Sequence, residues 1–130
     1  MYQAETNSIR IEVTPHYVEE RSDPSRGRFF WAYRVTIENA REDTVQLVSR
    51  YWHITDSQGK VEEVRGAGVI GEQPVLGPGD RFEYTSGCPL PTPSGLMRGS
   101  YMFVDETGDQ FEAIIPAFSL DMPGARPVIN

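Results

Sequence analysis

Few residues in this chain have the type and spacing to do chemistry, and the most conspicuous group is Gly66-Ala67-Gly68-Val69-Ile70-Gly71. The G-x-G-x-x-G pattern holds a pyrophosphate where it links a strand to a helix, whose N-terminal N–H groups and dipole face the anion. Here it is followed by Glu72-Gln73-Pro74-Val75-Leu76-Gly77-Pro78-Gly79-Asp80, and prolines and glycines at that density exclude a continuous helix. Two readings remain. In the favoured one the glycines supply positive φ or close backbone approach where the chain crosses between sheets. In the alternative, the N–H groups around Gly66, Gly68 and Gly71 form a nest for a phosphate or nucleotide, with Arg65 beside it and Arg50 nearby.

The remaining candidates are sparse. Cys88 is the single cysteine, so no internal disulfide and no thiolate metal site can form, and beside Pro89 it reads as a packed residue rather than a nucleophile. His16 and His53 fall on different strands, and no G-x-S-x-G elbow is present, which leaves a Ser-His-Asp arrangement unsupported. His53 sits between Trp52 and Ile54 on the opposite parity, as an exposed or cross-strand-paired histidine would. Asp105, Glu106 and Asp109 gather at one turn and form the best carboxylate cluster, but acids at a turn are usually solvated there. The expectation is a non-enzymatic chain with no metal site and no cofactor.

Nineteen Asp and Glu against twelve Lys and Arg give a net charge of −7, which repels polyanions and argues against nucleic-acid binding. The N-terminus, Met1-Tyr2-Gln3-Ala4-Glu5-Thr6-Asn7, carries an early acid and no apolar run of the signal-peptide kind. No stretch approaches the roughly 18 apolar residues of a membrane span. The expected setting is the cytoplasm, and the 130 residues are read as one domain with a core over 9–120 and an extended or frayed tail over 121–130.

The elements that must position these residues are strands, because period two prevails along the chain. Ile9, Ile11 and Val13 alternate with polar residues. Phe29, Trp31, Tyr33, Val35 and Ile37 do so over a longer span, leaving Phe30 on the other face; Phe29, Phe30, Trp31, Tyr51 and Trp52 are the candidate aromatics for partner docking, with Phe30 the one that could join an exposed patch. Val45 and Leu47 share one parity and Trp52 and Ile54 the other, which predicts a β-bulge near Ser49-Arg50. Shorter strands follow at 61–65, 82–86, 97–105 and 111–115, with a glycine- and proline-rich loop over 66–80, a strand end at Gly87 and Pro116 limiting the last strand. About seven antiparallel strands in two sheets predict an all-β, immunoglobulin-like or fibronectin type III-like β-sandwich. Leu76-Gly77-Pro78-Gly79-Asp80-Arg81-Phe82 resembles the turn between late fibronectin type III strands, with Phe82 where a corner tyrosine would stand.

Read together, the segments Gln46 to Asp56 and Val64 to Pro74 resemble the two hallmark stretches of the ApaG family. Tyr84-Thr85-Ser86-Gly87, the run Gly95 to Tyr101, and Ile115-Pro116-Ala117-Phe118-Ser119-Leu120 agree with it. The resemblance implies a fibronectin-like sandwich in a small bacterial cytosolic protein. It carries an association by name with cobalt and magnesium resistance or efflux, and a proposal of pyrophosphate binding. Genes of the family often neighbour those for a diadenosine tetraphosphate hydrolase and a ribosomal RNA methyltransferase. Related domains in eukaryotic F-box and DNA-polymerase-interacting proteins act as interaction modules. The expected role is therefore protein binding, with a phosphate or nucleotide ligand at the glycine loop as the alternative and a homodimer contact as another use of an exposed aromatic face.

Overall fold

The structure is a computed structural model describing residues 1–124. Its strands in chain order are β1 (Tyr2–Thr6), β2 (Ile9–Tyr17), β3 (Phe29–Asn39), β4 (Val45–Asp56), β5 (Val61–Ala67), β6 (Val75–Leu76), β7 (Arg81–Leu90), β8 (Ser94–Val104) and β9 (Gln110–Asp121). Two single-turn 3-10 helices, Glu19–Arg21 and Pro24–Arg26, join β2 to β3. One sheet has the order β1-β2-β3-β7, the other β5-β4-β8-β9, with β6 also paired to β4. Every strand pairing is antiparallel. The predicted β-sandwich is the observed fold.

Alternation explains the core. Ile9, Ile11 and Val13 from β2, with Trp31, Tyr33, Val35 and Ile37 from β3, form one inner face; Leu47, Trp52, Tyr101, Phe103, Ile115 and Phe118 form the facing one. Phe118 stands at the centre of an aromatic cluster that ties the sheets together, its ring centroid 5.9 Å from Trp52, 6.0 Å from Tyr33 and 6.0 Å from Tyr2. Each such pair adds about 0.5–1.5 kcal/mol beyond burial itself. The predicted bulge lies between Leu47 and Ser49, where the β4–β8 register shifts. One extra residue there turns both Leu47 and Trp52 inward despite their opposite parity.

Several elements depart from the sequence reading. The described residues hold nine strands rather than about seven, because Tyr2–Thr6 and Val75–Leu76 also pair. The buried core still runs from Ile9 to Leu120, with Tyr2 of β1 partly buried against it. Pro15, Pro89 and Pro116 all lie inside strands. Pro15 is beyond the reach of β1, whose pairing ends at Val13; Pro89 is on the edge strand β7; Pro116 falls where the β8–β9 register shifts. None of these places needs the missing N–H. The predicted tail over 121–130 is only partly described: β9 includes Asp121, the Met122 N–H donates to the Pro93 carbonyl at 2.8 Å, and 125–130 lie outside the described residues.

Candidate functional site

The β4–β5 register sets the geometry of the glycine segment by placing Gly66 opposite Arg50 and Arg65 opposite Tyr51. Successive side chains on a strand point to opposite faces. Arg50 accordingly shares the inward face with Trp52, and Arg65 shares the outward face with Tyr51. The sequence reading sets both arginines beside one loop; the structure keeps Arg50 against it from the inward face and turns Arg65 to the outward face.

Each glycine has its own backbone reason. Gly66 leaves room for Arg50, whose Nη1 donates to the carbonyls of Ala67 and Gly68 at 3.0 Å each. Gly68 has φ +60°, and a Cβ there would run into the Glu72 carbonyl. Ile70 and Gly71, at φ 43° and 78°, are the central pair of a tight hairpin closed by Val69 N–H to Glu72 O and Glu72 N–H to Val69 O, both 2.8 Å. Positive φ at both central residues is the type I′ pattern that matches strand twist. The Gly68 N–H donates to the Val48 carbonyl at 2.8 Å. The N–H groups of Gly68, Val69 and Glu72 are thus committed inside the protein, while those of Ile70 and Gly71 make no internal hydrogen bond among the described residues. The segment also stays on one sheet. The crossing to the other comes later, at Gly77 to Asp80, anchored by Asn39, which donates its N–H to Asp80 O at 2.9 Å and accepts from Gly79 N–H at 2.8 Å.

Arg65 lies over the Tyr51 ring, 4.7 Å from its centroid, and pairs with Glu63 at 3.3 Å. Tyr51 donates its hydroxyl to the same carboxylate at 2.7 Å, which raises the phenol and lowers the Glu63 carboxyl relative to their ordinary values. Around them the outer face of the five-stranded sheet holds a groove of about 680 Å³, lined by Ser49, Tyr51, Arg65, Ser100, Met102 and Glu112 among others. It continues into a second hollow of about 370 Å³ that shares Tyr51, Ser100 and Glu112 and adds Arg98 and Ile114. The cross-strand row Arg65–Tyr51–Ser100–Ile114 forms its spine. Leu96 and Ile114 are exposed large apolar side chains of this sheet.

The other predicted residues take quieter positions. Phe30 is half-buried, packed over Gly87 with the Arg21 guanidinium 4.1 Å from its centroid, and so does not join Tyr51 in a patch. Trp52 is core. His53 is opposite Glu63 and Arg98. Asp105 is a turn cap, accepting from Thr107 N–H, Thr107 Oγ1 and Asp109 N–H, which lowers its carboxyl, and Glu106 accepts from Thr44 N–H. Among the described residues no three His, Cys, Asp or Glu gather as a metal site. Cys88 is buried, and that burial pushes its thiol up to about 12. Sequence reasoning missed Ser100 and Ile114, since it takes the β4–β8 register to bring Ser100 beside Tyr51 and the β8–β9 register to bring Ile114 beside Ser100.

Among the described residues no helix is long and apolar enough to cross a membrane. The chain is 57% identical to Protein ApaG of Mesorhizobium japonicum over 130 residues, all of both chains. It is 60% identical to Protein ApaG of Rhodospirillum centenum over 126 residues, 97% of each. The crystal structure of the putative ApaA protein from Bordetella pertussis superposes with a TM-score of 0.88 at 51% identity, covering 93% of this chain and 98% of that one. The ApaG domain profile matches residues 19–105, and with full-length relatives at this identity the chain belongs to the ApaG domain family.

Proposed function

We propose that this chain is a non-enzymatic, cytoplasmic binding domain that docks a protein partner on the outer face of its five-stranded sheet. The observation that carries this is the groove along Arg65, Tyr51, Ser100 and Ile114, floored by small residues, with an aromatic at its centre and exposed aliphatics beside it. Aromatic anchors in a shaped hollow with a charged rim are the composition of binding hot spots. Any link to cobalt or magnesium handling then runs through the partner rather than through a metal held by this chain.

The test compares immobilised wild type with Ser100→Arg, which fills the floor of the groove from a solvent-facing position. A protein retained from cytosol by the wild type and lost from the variant is the expected result. Equal retention of every captured protein by both would refute the outer-face reading. A concentration-dependent dimer that Ser100→Arg dissolves would make the occupant a second copy.

A phosphate or nucleotide at Gly66, Gly68 and Gly71 is the second reading, supported by the free N–H groups of Ile70 and Gly71. Saturable shifts of these amides with pyrophosphate, lost in Arg50→Gln, would promote it.

A further inference from the structure

The two open sides of the sandwich are unlike. On one, β1 and its neighbours are laced to β9: the Tyr2 and Ser119 hydroxyls share a hydrogen bond of 3.0 Å, Asn7 Nδ2 donates to Glu112 O at 3.0 Å, and Ile114 N–H donates to Thr6 Oγ1 at 3.2 Å. On the other side the edge strands β7 and β5 face one another across a cleft. One end, about 300 Å³, is lined by Arg50, Ile70, Gly71, Ser86 and Gly87. The other, about 360 Å³, is lined by Val61, Pro89 and Leu90 with Lys60 and Glu62 at its rim.

Arg50 sets the chemistry of the first end. It points inward and is only half-exposed, yet no carboxylate pairs with it among the described residues. Its internal partners are two carbonyls, both taken by Nη1. No buried polar side-chain atom among the described residues lacks a partner, so Nε and Nη2 keep contact with solvent, and Arg50 lines this end of the cleft. A guanidinium partly withdrawn from water without a counter-charge favours an anion beside it, and its planar fork fits a carboxylate. The free N–H groups of Ile70 and Gly71 line the same end. Along the wall, β7 pairs only with β3, so its outer backbone groups have no strand partner.

We propose that this cleft takes the C-terminal carboxylate of an extended segment from a partner protein, which adds to the edge of β7 and runs antiparallel to it. The carboxylate sits between Arg50 and the Ile70–Gly71 turn, and upstream apolar side chains meet Val61, Pro89 and Leu90. Edge-strand addition with capture of a chain terminus is an established mode of peptide recognition. A terminus suits the position better than an acidic side chain, whose backbone would have to continue past the turn. A single carboxylate also suits a chain of net charge −7 better than a pyrophosphate, which needs more positive charge than one arginine supplies.

Arg50 borders both hollows, but Ser100 lines only the outer-face groove and Ile70, Gly71, Ser86 and Gly87 only the cleft, so variants and amide shifts at those residues tell the two apart. The experiment titrates the ¹⁵N-labelled full chain with acetyl-Ala-Val-Ala-Val as the free acid, with the same peptide as its C-terminal amide, and with pyrophosphate. The free acid is expected to shift the amides of Ile70, Gly71, Ser86 and Gly87 saturably, and the amide form to bind at least about tenfold more weakly, as loss of one charge-assisted contact implies. Arg50→Gln should erase the difference between the two peptides, and Ser100→Arg should leave it intact. Since Arg50 also holds Ala67 and Gly68, the acid-against-amide comparison on wild type stands even if that variant does not fold. Equal binding of acid and amide, no shift at these residues, or shifts there with pyrophosphate alone would each overturn the proposal.

Discussion

The hydroxyl of Tyr84 meets the hydroxyl of Tyr101 between the two sheets, and the two share a hydrogen bond in the core. Burial raises both phenols, Tyr101 well above its ordinary value. Tyr84→Phe or Tyr101→Phe should each leave one buried hydroxyl without its partner, at a cost of about 1–3 kcal/mol. The double variant should recover part of that loss, because an apolar pair leaves nothing unsatisfied. Urea unfolding of the four proteins measures the coupling, and strict additivity would show that the bond contributes nothing.

The glycine segment makes a second contrast. Gly68→Val forces a branched side chain to φ +60° and into the Glu72 carbonyl, so stability should fall by about 1–3 kcal/mol or more. Arg65 is an exposed side chain over Tyr51, and Arg65→Ala should leave the melting temperature within about two degrees of wild type. Thermal melts of both decide it; a larger effect from Arg65→Ala than from Gly68→Val would reverse the structural reading of the motif.

Cys88 should be inert while the protein is folded. It is buried beside β3, opposite Trp31, and its thiol is pushed up to about 12 by loss of solvent. At about pH 8 a disulfide reagent should label it on the order of a hundredfold more slowly than in urea, at a rate set by opening of the fold. Immediate labelling of native protein would place the Cys88 thiol in solvent.

Acid should destabilise the protein. Arg41 lowers the carboxyl of Asp43, the Tyr51 hydroxyl lowers Glu63, Arg34 lowers Glu83 and Thr107 lowers Asp105. A carboxylate depressed in the folded state stabilises it fully above the unfolded value and loses that contribution as the pH falls toward the folded one. Urea midpoints should therefore hold steady from neutrality to the upper edge of the carboxylate range, then decline through it. A midpoint rising on acidification across that range would contradict these hydrogen bonds.

Strands with strong alternation were legible because their faces differ so sharply: Phe29 to Ile37 declares its register, and the phase change from Leu47 to Trp52 declares the bulge. The β1 strand was not, since Tyr2 to Thr6 is half-exposed with few apolar residues and becomes a strand through pairing with Ile9 to Val13. Pro89 and Pro116 look like strand ends until topology puts one on an edge and the other at a register shift. The glycine motif could be recognised as non-helical from the prolines after it. Which arginine serves it could not, because that depends on a cross-strand partner chosen by the β4–β5 register.

The lacing of Tyr2 to Ser119 sets a schedule for synthesis. These residues are 117 positions apart, so on the ribosome the first strand emerges long before the last can meet it. At about 5–20 residues per second the wait is roughly 6–23 s. Throughout that interval the side of the nascent sandwich that β9 will cover is bare, and closure waits until β9 itself has left the ribosome.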